Sequence, residues 1–328
     1  MKKFAALVAL VLLVPSAVEM GASWLQQGSG SRIAFTRLRE DVDRPGSDFR
    51  FDAEVWMMNG DGTEPTRLTY NTTDDLGATW SPDGRTVAFF GTPFGPDAEG
   101  RIVAIGPPHV FLIDLETRSQ RLLTEMRGRF PSWSPDGRRI AFDNGGPTGG
   151  NIFVINVDGT GLQQLTDNAP ARNIRPDWSP NGRQIAFTSR RDGNDELYVM
   201  DADGSNRDNP VRLTVNSFAD NAADWSPDGR RIVFQSNRDG NDEIYVMNAD
   251  GGGQRRLTTF PGRDLDADWS PDGRTIAFER DIEPIAAQII QVFVIDADTP
   301  NAEPEPLTTL PSENGHPGWG HGRGRSQR

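Results

Sequence analysis

The sequence predicts an all-β protein: a six-bladed β-propeller with four antiparallel strands per blade and a ring closed by strands from both termini. Three observations carry this. The segment SRRDGNDELYVMDADG at 189–204 returns at 236–251 as SNRDGNDEIYVMNADG, with thirteen of sixteen positions identical. A Trp-Ser-Pro-Asp/Asn-Gly mark recurs at Trp80, Trp133, Trp178, Trp225 and Trp269, and in a shortened form, WGHGR, at Trp319, with spacings of 53, 45, 47, 44 and 50 residues. Each period also holds several short strand-like segments rather than one long one. A unit of four short strands that repeats every forty-odd residues buries its faces by stacking on copies of itself.

The elements follow in order within each repeat. The inner strand ends at the Trp. Ser-Pro-Asp-Gly then makes a tight hairpin, because Pro presets φ, Asp suits the third turn position and Gly relieves the fourth. The second strand is of the type Ile-Ala-Phe, at 33–35, 87–89, 140–142, 185–187, 232–234 and 276–278. A second hairpin, Asp-Gly-Asn in the two closest repeats, leads to the third strand, which begins near Val55, Val110, Ile152, Leu197, Ile244 and Val292. Period-2 alternation places Tyr198 and Met200 on one face of that strand and Leu197 and Val199 on the other. The outer strand is short and Arg-Leu-Thr-like, centred on Leu68, Leu122, Leu165, Leu213, Leu257 and Leu307. The chain's first mark is a second strand, at 33–35, and its last is the inner-strand mark at Trp319, so the two ends complete one blade and remove the open sheet edge.

Residues 1–22 read as an export signal: Lys2 and Lys3, an apolar run from Phe4 to Val14, then small residues with a cleavage position after Ala22. An uncleaved segment would instead tether the protein to a membrane. Residues 23–30 read as a linker, 31–320 as the propeller and 321–328 as a flexible tail.

Composition narrows the function classes. The net charge of -13 argues against nucleic acid as the partner. The absence of Cys removes disulfides, thiolate metal sites and a Cys nucleophile.

The repeated WSPDGxxIAF, IYVMNADG and RLT marks resemble those of the TolB-like propeller family over roughly residues 31–320. The resemblance implies the propeller fold and a protein or peptide partner at the cell envelope. Residues 23–30 leave no room for the α/β domain that precedes the propeller in TolB. Peptidases with such propellers carry a G-x-S-x-G motif, which this sequence lacks. Lyases of this type use several His for a metal, whereas the chain has only His109, His316 and His321.

The candidate site comes from two positions before each Trp. Five residues ahead stand Asp75, Gly128, Asn173, Asp220, Asp264 and Asn314; one residue ahead stand Thr79, Ser132, Asp177, Asp224, Asp268 and Gly318. Around a ring, Asp75, Asn173, Asp177, Asp220, Asp224, Asp264 and Asp268 would form an acidic tunnel mouth that focuses its field on a cation or a basic peptide. Turn preference of Asp and Asn is the structural alternative. The mouth offers a place for a divalent cation such as calcium; no other cofactor is expected. The Trp and the Asp of SPDG read as structural, the adjacent pairs Asp195-Glu196 and Asp242-Glu243 point to opposite faces, and His316 and His321 read as part of a Gly-rich end. The insertions 38–53, 90–109 and 281–291 all join second and third strands, on the face where the chain enters the inner strands. The resulting expectation is an exported, monomeric, non-catalytic scaffold that binds an envelope or extracellular protein or peptide. The alternative is a hydrolase or lyase acting on a glycan or peptide, with Asp220, Asp224, Asp264 and Asp268 as acid, base or metal ligands.

Overall fold

The computed structural model describes residues 30–40, 51–71, 73–100, 102–146, 149–167, 171–282, 290–299, 302–308 and 314–321. The export signal, nearly all of the linker and tail, and the middles of the insertions 38–53 and 281–291 lie outside these residues. Among the described residues every regular element is a strand, and the strands form six sheets around a central axis.

The first blade joins both ends of the chain. β1 (Ser31–Glu40) pairs with β2 (Phe51–Asn59) on one side and with the last strand, β25 (Asn314–His321), on the other, with Ile33 opposite Trp319; β3 (Thr66–Arg67) lies outside β2. The second blade contains β4 (Thr73–Trp80), β5 (Thr86–Pro96), β7 (His109–Asp114) and β8 (Gln120–Leu122), and its long second strand carries the extra β6 (Ile102–Ala104). The third blade is β9 (Arg129–Trp133), β10 (Arg139–Asp143), β11 (Ile152–Asn156) and β12 (Gln163–Gln164). The fourth is β13 (Asn173–Trp178), β14 (Gln184–Ser189), β15 (Glu196–Asp201) and β16 (Val211–Arg212). The fifth is β17 (Asp220–Trp225), β18 (Arg231–Ser236), β19 (Glu243–Asn248) and β20 (Arg255–Arg256). The sixth is β21 (Asp264–Trp269), β22 (Thr275–Asp281), β23 (Ile290–Asp296) and β24 (Glu305–Pro306).

The core is the set of interfaces between blades. Tyr198 and Met200 pack with Ile152, Val154 and Leu165 of the third blade, while Leu197 and Val199 pack with Trp225, Phe234 and Tyr245 of the fifth, as the alternation predicts. Each fully buried Phe of the second strands (Phe187 and Phe234 are 0% exposed) contributes about 2–3 kcal/mol by leaving water.

Polar repeats finish each blade. The Thr of the outer segment accepts an N–H near the start of the third strand, as in Leu197 N–H to Thr214 Oγ1 at 2.9 Å and Ile244 N–H to Thr258 Oγ1 at 3.0 Å. Buried Glu243 binds Arg256 at 2.6 Å and Thr258 at 2.7 Å, and Glu196 binds Arg212 at 3.0 Å. The second blade shifts this register by one: Leu123 donates to Val110 and is 6% exposed, whereas Leu122, the expected centre, is 47% exposed. Two consecutive leucines hide the register in the sequence.

One face carries the chain into each inner strand and also carries every connection between second and third strands. Asp220 N–H donates to Asp195 O at 2.8 Å and Asp264 N–H to Asp242 O at 2.9 Å, which ties the two kinds of loop together. The Ser-Pro-Asp-Gly turns lie on the opposite face.

Candidate functional site

Each inner strand has a β-bulge three residues before its Trp. Gly77, Phe130, Arg175, Ala222, Asp266 and His316 occupy it, all with φ between 47° and 59°. Five of them carry a side chain in the left-handed region, a conformation that persists only where the surroundings hold it. In four of the six blades what holds it is the residue after the Ile-Ala-Phe strand of the preceding blade. Asp143 Oδ2 accepts Arg175 N–H at 3.0 Å, Thr188 Oγ1 accepts Ala222 N–H at 3.3 Å, Gln235 Oε1 accepts Asp266 N–H at 3.2 Å and Glu279 Oε2 accepts His316 N–H at 2.9 Å.

The bulge residue and the two that follow it line, in every blade, a central cavity of about 140 Å³. Asp177, Asp224 and Asp268 line it together. Each also ties its blade to the next: Asp177 Oδ2 accepts Trp225 N–H at 2.9 Å, Asp224 Oδ2 accepts Trp269 N–H at 2.9 Å and Asp268 Oδ2 accepts Trp319 N–H at 2.8 Å. Ser132 Oγ does the same for Trp178 at 3.1 Å. Burial pushes Asp177 up to about 6 and Asp268 up to about 7. Asp224 is raised well above the carboxylate range by burial and by the charges of Asp268 and Asp177. Asp224 is flanked by Asp177 and Asp268, and three carboxyls lining one buried cavity cannot all ionise, so the trio holds a proton.

The other four expected residues stand elsewhere. Asp75, Asn173, Asp220 and Asp264 are all 0% exposed and lie inside their blades rather than on the cavity wall. Asp220 accepts both Arg238 contacts, at 2.9 and 3.0 Å, and Asp264 accepts a fork from Arg280 at 2.7 Å on each oxygen. Asp75 accepts from Asn71, and Asn173 Oδ1 accepts from Ser189 and Arg191. A regular strand would place positions five and one before the Trp on the same face. The intervening bulge reverses that parity.

Sequence reasoning missed the cavity's other charged wall. Arg175 of the fourth blade pairs with Asp266 of the sixth, and Phe130 lies against Arg175 at 4.2 Å. His316 Nε2 is 3.0 Å from Asp266, and its Nδ1 is 3.5 Å from Glu279. Burial alone would raise Asp266, but Arg175 and His316 outweigh it and hold the carboxyl low; Glu279 is raised by burial despite His316. Asp266, Glu279 and His316 present ligand atoms within 4.8 Å of one another, a donor set that suits a divalent cation. His316 therefore belongs to the tunnel wall rather than to a frayed end. The signal in the sequence was its alignment, three before a Trp, with Asp266 and Arg175.

Comparison with known proteins agrees with this architecture. The TolB beta propeller domain family matches residues 103–218, and the Tricorn protease N-terminal beta propeller domain family matches residues 205–317. An uncharacterized protein of Agrobacterium fabrum is 26% identical over 117 residues, covering 35% of this chain and 36% of that protein, so the chain's match spans about a third of that relative's length. Among solved structures, TolB from Acinetobacter baumannii superposes with a TM-score of 0.69 at 21% identity, over 89% of this chain and 67% of its own. A putative TolB from Agrobacterium tumefaciens gives a TM-score of 0.63 at 21% identity, over 87% of this chain and 91% of its own. With six four-stranded blades, a ring closed by both ends and these matches, the chain is a TolB-like six-bladed β-propeller.

Proposed function

We propose that this protein is an exported, non-catalytic scaffold that binds a protein or peptide at the cell envelope. It uses the face where chain enters the inner strands. The carrying observation is that four of the seven large apolar side chains exposed among the described residues stand on that face. Tyr70 (71% exposed), Ile105 (62%), Val215 (75%) and Phe218 (43%) all lie in loops of that one face. Exposed aromatic and aliphatic side chains on loops held by a rigid ring are the usual composition of a binding surface. The cavity beneath favours the same reading, because its carboxylates already accept backbone N–H groups of neighbouring blades. The TolB likeness supports a protein-binding role in general.

The test is capture from envelope extract by immobilised residues 23–328, with a Y70A/I105A/V215A/F218A variant as control. One protein retained by the native chain and lost with the variant is the expected result. Equal retention by both would sink the reading.

A second reading, a hydrolase or lyase acting on a glycan or peptide, rests on Asp177 and Asp268 being raised to about 6 and 7 beside His316 in one cavity. Turnover of an extracellular glycan or peptide that vanishes with Asp224→Asn, in a chain of unchanged fold, would favour it.

A further inference from the structure

The third blade's hairpin between second and third strands is glycine at Gly145, Gly146, Gly149 and Gly150, and arginines pack against its bare backbone. A Cβ on Gly145 would stand 2.8 Å from Arg129 Nη2, and one on Gly146 would stand 3.3 Å from Arg127 Nη1. Gly150 bridges to Arg172. The charges there are unbalanced. Arg129 faces Asp143 at 3.3 Å, Arg190 faces Asp195 at 2.7 Å and Arg175 is taken by Asp266. Among the described residues, no carboxylate lies within ion-pair distance of Arg127, Arg172 or Arg191.

Comparison between blades explains the imbalance. Arg238, from the hairpin of the fifth blade, and Arg280, near the end of the sixth blade's second strand, are neutralised by Asp220 and Asp264. In the fourth blade the corresponding Arg191 meets Asn173, a neutral acceptor at 3.3 Å, and in the third blade that position is Gly128. The acids are missing where arginines are densest. Buried Nε atoms of Arg127 and Arg129 also have no partner, which is costly in an interior with no acceptor supplied. Burial, followed by the like charges of Arg190, Arg129 and Arg175, lowers Arg172, with Asp195 alone opposing.

We infer that this sector of the loop face, over the third and fourth blades, binds the carboxylates of an acidic peptide segment, with Arg127, Arg172 and Arg191 as the arginines that no carboxylate among the described residues neutralises. The inference rests on the peptide-binding reading of that face and gives the partner its charge. It reverses the expected preference for a basic partner. Guanidinium forks match carboxylates in geometry. A long polyanion would meet the whole chain's net charge of -13, whereas a short acidic segment meets mainly the local arginines.

The probes are two fluorescein-labelled amidated hexapeptides, Gly-Asp-Glu-Asp-Glu-Gly and Gly-Asn-Gln-Asn-Gln-Gly, followed by anisotropy. The acidic peptide is expected to bind at least about tenfold more tightly than the neutral one, and R172Q/R191Q to weaken it about tenfold. R138Q, on the opposite face, should leave it unchanged, and thermal unfolding confirms that each variant folds. Equal binding of both peptides, no binding of either, or no effect of R172Q/R191Q overturns the inference. So does equal displacement by inorganic phosphate at the same concentration. If both peptides bind alike and both are lost with Y70A/I105A/V215A/F218A, the peptide-binding face stands and only its charge preference falls.

Discussion

Arg175 of the fourth blade and Asp266 of the sixth, 91 residues apart in the chain, form an ion pair across the central cavity. Both sit at the left-handed bulge of their inner strands. The pair links two blades that are not neighbours, and Phe130 flanks the guanidinium. Because both partners are largely buried, removing one leaves a charge without its match.

Arg175→Ala is therefore expected to destabilise by about 3 kcal/mol in denaturant unfolding, as for a buried pair broken from one side. Arg175→Ala with Asp266→Ala should cost less than the sum of the singles, since Asp266 then no longer needs a partner. Additive losses would show that the two residues are not coupled.

The same pair would compete with a divalent cation at the cavity wall. A divalent cation seated on Asp266, Glu279 and His316 must compete with Arg175 for Asp266. Calcium is expected to raise the unfolding temperature more in Arg175→Ala than in the native chain. At calcium ten times above the dissociation constant, the gain would be about 1.4 kcal/mol. His316→Gln on the Arg175→Ala background should abolish it. Equal shifts in all three chains would place calcium elsewhere.

The aspartate trio predicts a pH dependence. Asp177 and Asp268 titrate near 6 and 7, and Asp224 is raised further still, so the folded chain keeps protons that the unfolded chain releases near 4. Folding stability from this trio falls as pH rises from about 4 to above 7. Asp224→Asn keeps an acceptor for Trp269 N–H and gives both neighbours an N–H donor. It should flatten that fall and stabilise by about 2 kcal/mol at pH 8 relative to pH 5. A parallel pH profile for native and variant chains would contradict the proton sharing.

Ring closure predicts an intolerance of added volume in β25. A Cβ on Gly320 would lie 2.2 Å from the Trp80 ring, and one on Gly318 would lie 2.4 Å from Ala78 O. Either Gly→Ala change should cost about 1–3 kcal/mol through overpacking. Thermal unfolding matching the native chain would show that the closing strand relaxes.

Much of the fold was legible because it is written six times. Trp80 through Trp319, the turn residues after them and the alternating third strands report local rules of turn geometry and strand parity. The closing pair of β1 and β25 was legible from the two half-repeats at the ends. The site was less so. Parity counting put Asp220 and Asp224 on one wall, but Ala222 between them is in a left-handed bulge, and only Asp224 reaches the cavity. Nothing local at Ala222 announces the bulge, since its N–H is held by Thr188 of the preceding blade.

The sequence by itself determined the number of blades, their strand order and the closure of the ring, because each depends on short-range turn chemistry and on a face that one blade cannot bury alone. The tertiary structure alone decided which carboxylates meet in the cavity, that Arg175 reaches Asp266 across it, and that Arg127, Arg172 and Arg191 over the third and fourth blades have no carboxylate at ion-pair distance among the described residues. Those relations join residues from different blades, and their distances are set by the radius of the ring and the bulge in each inner strand rather than by any spacing along the chain.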